Sequence, residues 1–304
     1  MKAILTQATG LIFAALVLSS CQAPAPSTAS HGEHDPVQVD RTFPPAVKEL
    51  NFQSGGSRIN GILYQANGEG PHPTVILLHG YPGNEKNLDL AQSMRRAGYN
   101  VLFFHYRGAW GSGGDFSFSH VIEDVKSAST FLRDKQSEYR VDGDRLLLVG
   151  HSMGGFAALK GAANDDAIVC VAGIAPADVG IVARSVMADA NTARGFAAGA
   201  DSLAMLNGWN GETAIADLKA NAERFDVAAL APELSGKSVL LIAGDNDTVL
   251  APEIFHLPMV AAYEAESGIK LTHTIIPGDH SFSWSRFELI DTVLNWAKTC
   301  EAPN

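Results

Sequence analysis

The sequence has little cysteine, a deficit of basic side chains, and no apolar run long enough to cross a bilayer. Its three cysteines are Cys21, Cys170 and Cys300. Nowhere do cysteine and histidine fall at metal-ligand spacing, and no metal or cofactor is implied. An exported chain can join Cys170 to Cys300, but a strand-interior position for one and a terminal position for the other predict two free thiols. Lys and Arg number 22 against 33 Asp and Glu, a formal net charge of −11, which argues against nucleic acid as a partner. The apolar run LIFAALVL at residues 11–18 is too short for a permanent spanning helix. No internal repeat is visible. Gly111-Ser112-Gly113-Gly114 has the glycines of a phosphate loop, but it lacks the P-loop lysine and opens no helix.

What is present suits one large α/β domain preceded by a targeting segment. Of the 304 residues, 46% are hydrophobic. Lys2 followed by the apolar run reads as a secretory signal over residues 1–20. Leu18-Ser19-Ser20-Cys21, directly after it, resembles the bacterial lipobox. That resemblance implies a lipidated Cys21 at the mature N-terminus and a protein anchored in the cell envelope. Gln22, rather than aspartate, then implies an outer-membrane or periplasmic-face location in a cell with two membranes. Residues 21–45 read as a tether whose Pro and Ser keep it extended, with His31 and His34 solvated rather than metal-binding.

Residues 47–53 and 58–66 predict a leading β-hairpin around Ser54-Gly55-Gly56-Ser57. Apolar strands are expected at 74–78, 100–106, 146–149, 167–174, 239–243 and 271–276. Helices alternate with them near 88–97, 121–136, 156–160, 253–266 and 286–298. Such alternation means a mostly parallel, doubly wound sheet of about eight strands with helices on both faces, built from residues 46–304. Alternation lapses over residues 178–230, which are Ala-rich and helical in pattern. That insertion is either a cap over a site or additional scaffold.

The stretch at residues 145–155, RLLLVGHSMGG, concentrates the chemistry. An apolar strand breaks at Gly150-His151-Ser152-Met153-Gly154, which fits G-x-S-x-G, and a helical segment follows. A serine at the tip of such a turn exposes its hydroxyl beside a helix N-terminus, whose free N–H groups can stabilise an oxyanion.

HGYPG, YRGAWGSGG, GHSMGG, GDND and GDHSF each follow an apolar strand. In that order they are similar to the α/β-hydrolase superfamily, and the chain is identified as a member from residue 47 onward. The likeness extends to its serine-esterase, prolyl-oligopeptidase-like and dienelactone-hydrolase-like branches. The resemblance implies Ser152 as nucleophile, Asp247 as acid and His280 as base, with the backbone amides of Tyr81 and Met153 as oxyanion hole. The chemistry agrees. A serine hydroxyl needs a base to take its proton, an imidazole titrates near neutrality, and a carboxylate fixes the imidazole's tautomer. Asp245 and Asp279 are rivals for the acid. Among the other histidines, His79 is expected to support the oxyanion loop and His151 to pack or hydrogen-bond. His105 and His273 are expected to be ordinary strand residues. The activity implied is cleavage of carboxylic esters through an acyl-enzyme, with a small ester or peptide as the partner. A serine peptidase on the same fold is the alternative. A non-catalytic binding scaffold is a third reading, and an intact Ser–Asp–His set argues against it.

Overall fold

The computed structural model describes residue 35 and residues 38–300. The expected signal segment, Cys21, His31 and His34 lie outside the described residues. The chain runs β1 (Ala46–Ser54), β2 (Ser57–Gln65), β3 (His72–Leu78), α1 (Leu88–Arg96), β4 (Asn100–Phe104) and α2 (Phe118–Asp134). One further turn of helix, α3 (Gln136–Tyr139), leads to β5 (Val141–His151), α4 (Met153–Ala163) and β6 (Cys170–Ile174). Three consecutive helices follow, α5 (Val179–Ala188), α6 (Ala190–Asp201) and α7 (Gly211–Asn221). The chain closes with β7 (Ser238–Gly244), α8 (Pro252–Glu264), β8 (Lys270–Ile276) and α9 (Arg286–Ala297).

The strands form one sheet in the order β1-β2-β4-β3-β5-β6-β7-β8. The hairpin β1–β2 is antiparallel and joins β4 antiparallel, while every other pairing is parallel. Gly55 and Gly56 both take positive φ, 54° and 76°, as a two-residue hairpin turn that follows the strand twist requires. The central strands are apolar throughout because helices cover both faces. Their side chains still alternate. Ile76, Leu78, Leu148 and Leu241 meet α2, α4 and α8 in one core, while Val75, Leu77, Val149 and Ile242 meet α1 and α9 in the other. Each such fully buried side chain contributes roughly 2 kcal/mol. The outer strands read differently: β1 buries Leu50 and Phe52 and exposes Val47, Glu49 and Asn51.

Helix α2 begins three residues before its expected start because the Ser117 side chain accepts from the His120 amide and caps it. Helices α5, α6 and α7 are likewise started by Asp178, Asp189 and Asn210, each accepting from an amide in the first turn. They are strapped to the glycine-rich loop after β4. Trp110 donates its amide to the Met205 carbonyl (3.0 Å), Asn207 donates to Gly108 (2.6 Å), and Phe116 donates to Asn207 (2.9 Å). Asp217 of α7 accepts from the Phe118 amide and the Ser119 hydroxyl.

The free-thiol expectation is overturned: Cys170 and Cys300 form a disulfide, their Cα atoms 6.1 Å apart. Cys170 opens β6 rather than lying in its interior, at the end of the sheet where the parallel strands begin. Helix α9 starts beyond the opposite end and runs back along the sheet. Its Trp296 reaches the Ser238 hydroxyl at the start of β7, which delivers Cys300 beside Cys170.

Candidate active site

The turn between β5 and α4 holds Ser152 at φ 57° and ψ −120°, a conformation a non-glycine residue adopts only where its surroundings enforce it. The flanking glycines explain the enforcement. A Cβ on Gly150 would overlap the Gly154 carbonyl, and one on Gly154 would overlap the Leu78 carbonyl at the end of β3. Strand, turn and helix therefore close around Ser152 without space for side chains.

Two loops beyond the carboxyl ends of β7 and β8 bring the other groups. His280 Nε2 lies 3.0 Å from Ser152 Oγ, and His280 Nδ1 lies 2.7 Å from Asp247 Oδ2. Asp247 is 4% exposed, and its other oxygen accepts from the amides of Val249 and Leu250, both at 2.8 Å. Burial pushes the Asp247 carboxyl up. The His280 hydrogen bond and the two amides outweigh it and hold the group below the ordinary carboxylate range, so it is ionised at neutral pH. An ionised Asp247 accepts from Nδ1–H, which leaves Nε2 unprotonated and facing the serine hydroxyl. Asp245 and Asp279 are occupied elsewhere: Asp245 accepts from the Gly278 amide, and Asp279 from the amides of Ser281 and Ser283 and from the Ser283 hydroxyl. Both shape the loop that carries His280, and neither is a partner of its ring.

The loop after β3 lies against Ser152, since a Cβ on Gly80 would come 3.0 Å from Ser152 Cβ. Neither the Tyr81 amide nor the Met153 amide has a hydrogen-bond acceptor among the described residues. His79 fixes the orientation of the first. Its Nδ1–H donates to the Gly80 carbonyl (2.8 Å), and in a trans peptide the Tyr81 N–H then points the opposite way. The His79 ring is buried, and desolvation, against the help of the Gly80 bond, lowers its pKa to about 3. His105 departs from the expectation of an ordinary strand residue. It lies one position beyond β4, with its ring between those of His79 and Trp110 and its Nδ1 3.3 Å from His79 Nε2. His273 does lie within β8, paired with Glu264. His151 does more than pack: its Nε2–H donates to the His280 carbonyl at 2.7 Å, with the two rings 4.8 Å apart. Desolvation first, then the nearby His280, lower the His151 pKa to about 4.

Residues missed from sequence flank the Tyr81 side chain: Phe116, Phe118, Phe196 and Trp209 all pack against its ring. They are scattered over four elements and carry no motif.

The model of the alpha/beta hydrolase family matches residues 75–291. Among curated proteins, the quorum-quenching protein AidA of Acinetobacter baumannii is 28% identical over 134 residues, 42% of this chain and 43% of AidA. The match thus spans less than half the length of that relative. Among solved structures, the Pyrococcus furiosus esterase Pf2001 superposes with TM-score 0.63 at 20% identity, over 87% of this chain and 97% of the esterase. Est1E of Butyrivibrio proteoclasticus, with ferulic acid bound, gives 0.62 at 19%, over 82% of this chain and 98% of Est1E. At these identities the likeness is one of fold. Because the family model covers most of the chain, from the third strand into the last helix, this protein belongs to the alpha/beta hydrolase family.

Proposed function

We propose that this protein is an exported serine hydrolase that cleaves carboxylic esters through an acyl-enzyme, with Ser152, His280 and Asp247 as its triad. The observation that carries the reading is one continuous set of contacts. Asp247 meets His280 at 2.7 Å, His280 meets Ser152 at 3.0 Å, and the amides of Met153, next to Ser152, and of Tyr81, next to Gly80, have no acceptor among the described residues. Ser152 Oγ attacks the ester carbonyl carbon as His280 Nε2 takes its proton. The carbonyl oxygen becomes an oxyanion and accepts from the Tyr81 and Met153 amides. His280 returns the proton to the departing alkoxide and the alcohol leaves. Water then repeats the sequence on the acyl-serine, releasing the acid and restoring Ser152. Asp247 stays ionised and stabilises the imidazolium formed in each half.

One structural neighbour, Pf2001, is an esterase by name, which favours esters over amides as the bond cleaved. The Cys170–Cys300 disulfide supports export, because such bonds persist in oxidising compartments. Anchoring through a lipidated Cys21 belongs to the same proposal and rests on the LSSC sequence.

The test is active-site labelling of the protein with a fluorophosphonate, the modified residue being located by mass spectrometry, together with turnover of simple esters. Labelling at Ser152, with turnover lost by about 10⁶-fold in Ser152→Ala, is the expected result. Ester hydrolysis that survives Ser152→Ala would exclude this serine as nucleophile.

A further inference from the structure

A group of aromatic rings stands beside the Tyr81 amide, and no step of the proposed reaction uses it. The Tyr81 ring is faced by Phe196 of α6, their centroids 6.4 Å apart and their planes within 10° of parallel. Trp209 packs edge-on to Tyr81, and its indole N–H donates to the Tyr81 hydroxyl oxygen at 2.9 Å. Phe116 and Phe118 back both Tyr81 and Trp209.

Two features distinguish this group from ordinary core. Trp209, Phe116 and Phe118 are buried, but Tyr81 and Phe196, the parallel pair, each keep part of their surface exposed. The Tyr81 hydroxyl also receives a hydrogen bond without giving one: it accepts from Trp209, and its own proton has no acceptor among the described residues. Burial, outweighing the Trp209 contact, pushes the phenol's pKa up, so the group remains a protonated donor. The protein itself thus leaves part of both rings uncovered and the phenol proton available to a group from outside, solvent included.

The position relative to the chemistry is fixed by one residue. The Tyr81 amide is a proposed oxyanion donor, and the adjoining Gly80 lies against Ser152. Tyr81 thus carries both that amide and the aromatic ring, one residue from the contact with Ser152. We infer that the preferred substrate is an ester carrying a planar aromatic ring with a polar substituent. The ring packs on Tyr81 and Phe196, and the substituent accepts from the Tyr81 hydroxyl. An alkyl chain covers the same rings but leaves the phenol proton unpaired. This inference rests on the serine-esterase reading and narrows its substrate class.

The test compares three methyl esters that share a saturated acyl carbon and so have similar intrinsic reactivity: 3-(4-hydroxyphenyl)propionate, 3-phenylpropionate and octanoate. Their hydrolysis is followed by pH-stat. The wild-type protein is expected to rank them in that order by kcat/KM. Phe196→Leu keeps an apolar side chain on a partly exposed helix and removes the ring. The ratio of phenylpropionate to octanoate should fall about tenfold, which corresponds to about 1.4 kcal/mol. Tyr81→Phe should erase the advantage of the hydroxylated ester over the plain one. A wild-type preference for octanoate, or an equal loss on all three esters in both variants, would overturn the inference. Fluorophosphonate labelling separates the failures. Ser152 labelled without an aryl preference refutes only the substrate class, whereas no labelling at Ser152 refutes the esterase reading and this inference with it.

Discussion

The Cys170–Cys300 bond offers a quantitative test that is independent of activity. It closes a loop spanning 130 residues and encloses everything from β6 to α9. Chain-entropy arithmetic for a loop of that size gives about 5 kcal/mol of stabilisation at 25 °C, an upper value because the denatured chain is not a random coil. Whole domains are stable by about 5–15 kcal/mol, so at that upper value this one bond is at least a third of the total. Cys300→Ser is a clean perturbation: the residue follows α9, outside every strand, and serine nearly matches cysteine in size. At about 2–4 °C per kcal/mol for a domain of this size, the variant should melt roughly 10–20 °C lower. The assay is thermal unfolding of both proteins with and without reductant. Reductant added to the folded protein should act slowly, since Cys170 and Cys300 are 3% and 7% exposed. Reductant present during unfolding should bring the wild type down to the variant. Equal melting temperatures without reductant, with both thiols of the denatured wild type reacting at once with a thiol reagent, would refute the pairing and return Cys170 and Cys300 to the free state.

Buried imidazoles should weaken the fold in acid. His79 and His151 titrate at about 3 and about 4 in the folded protein against 6.5 ordinarily, so between those values the unfolded chain binds more protons. Stability is therefore fully present above about pH 6.5 and is lost as pH falls, by about 2 kcal/mol per ring at pH 5. Urea midpoints measured from pH 7 to 5 should decline accordingly, and a flat series would mean that these rings are not held neutral by burial. Asp247→Asn should lower kcat about 10⁴-fold by presenting the wrong tautomer, whereas Asp245→Asn should cost less than tenfold; the reverse order would transfer the acid role. His151→Phe removes the donor to the His280 carbonyl and should lower kcat/KM about tenfold, with His151→Gln restoring part of the loss. Undiminished turnover in His151→Phe would leave that hydrogen bond without a catalytic consequence.

Ser152, Asp247 and His280 are legible in the sequence because each sits where an apolar strand gives way to glycine, and a parallel sheet brings such points to one edge. The elbow glycines are legible for a steric reason, as the overlaps at Gly150 and Gly154 show. What sequence spacing does not carry is what long-range packing decides. Whether Cys170 meets Cys300 depends on how far α9 runs back along the sheet, a length that no local pattern near either cysteine reports. His105 looks like a strand residue until the chain is seen to leave β4 at Phe104, one position earlier, and the ring turns to His79.

The rings around Tyr81 are the furthest from local reading, and the reason bears on how such a site divides its labour. Phe116 and Phe118 arrive from the loop and helix after β4, Phe196 from α6 and Trp209 from the turn before α7. They meet because backbone bonds strap residues 205–207 to residues 108–116. The reacting groups must recur at fixed points of the sheet, since a tenth of a nanometre of misplacement removes much of the rate. The ring-lined wall has no such constraint: any segments that can be tied to the sheet can supply it. On the proposed reading, substrate preference is shared between Tyr81 of the loop after β3 and the part of the chain where strand–helix alternation lapses. Exchanging residues in α6 and the turn before α7 should change which ester is cleaved while leaving the labelling of Ser152 intact, and a loss of labelling from such exchanges would show that the inserted helices help to build the reacting centre itself.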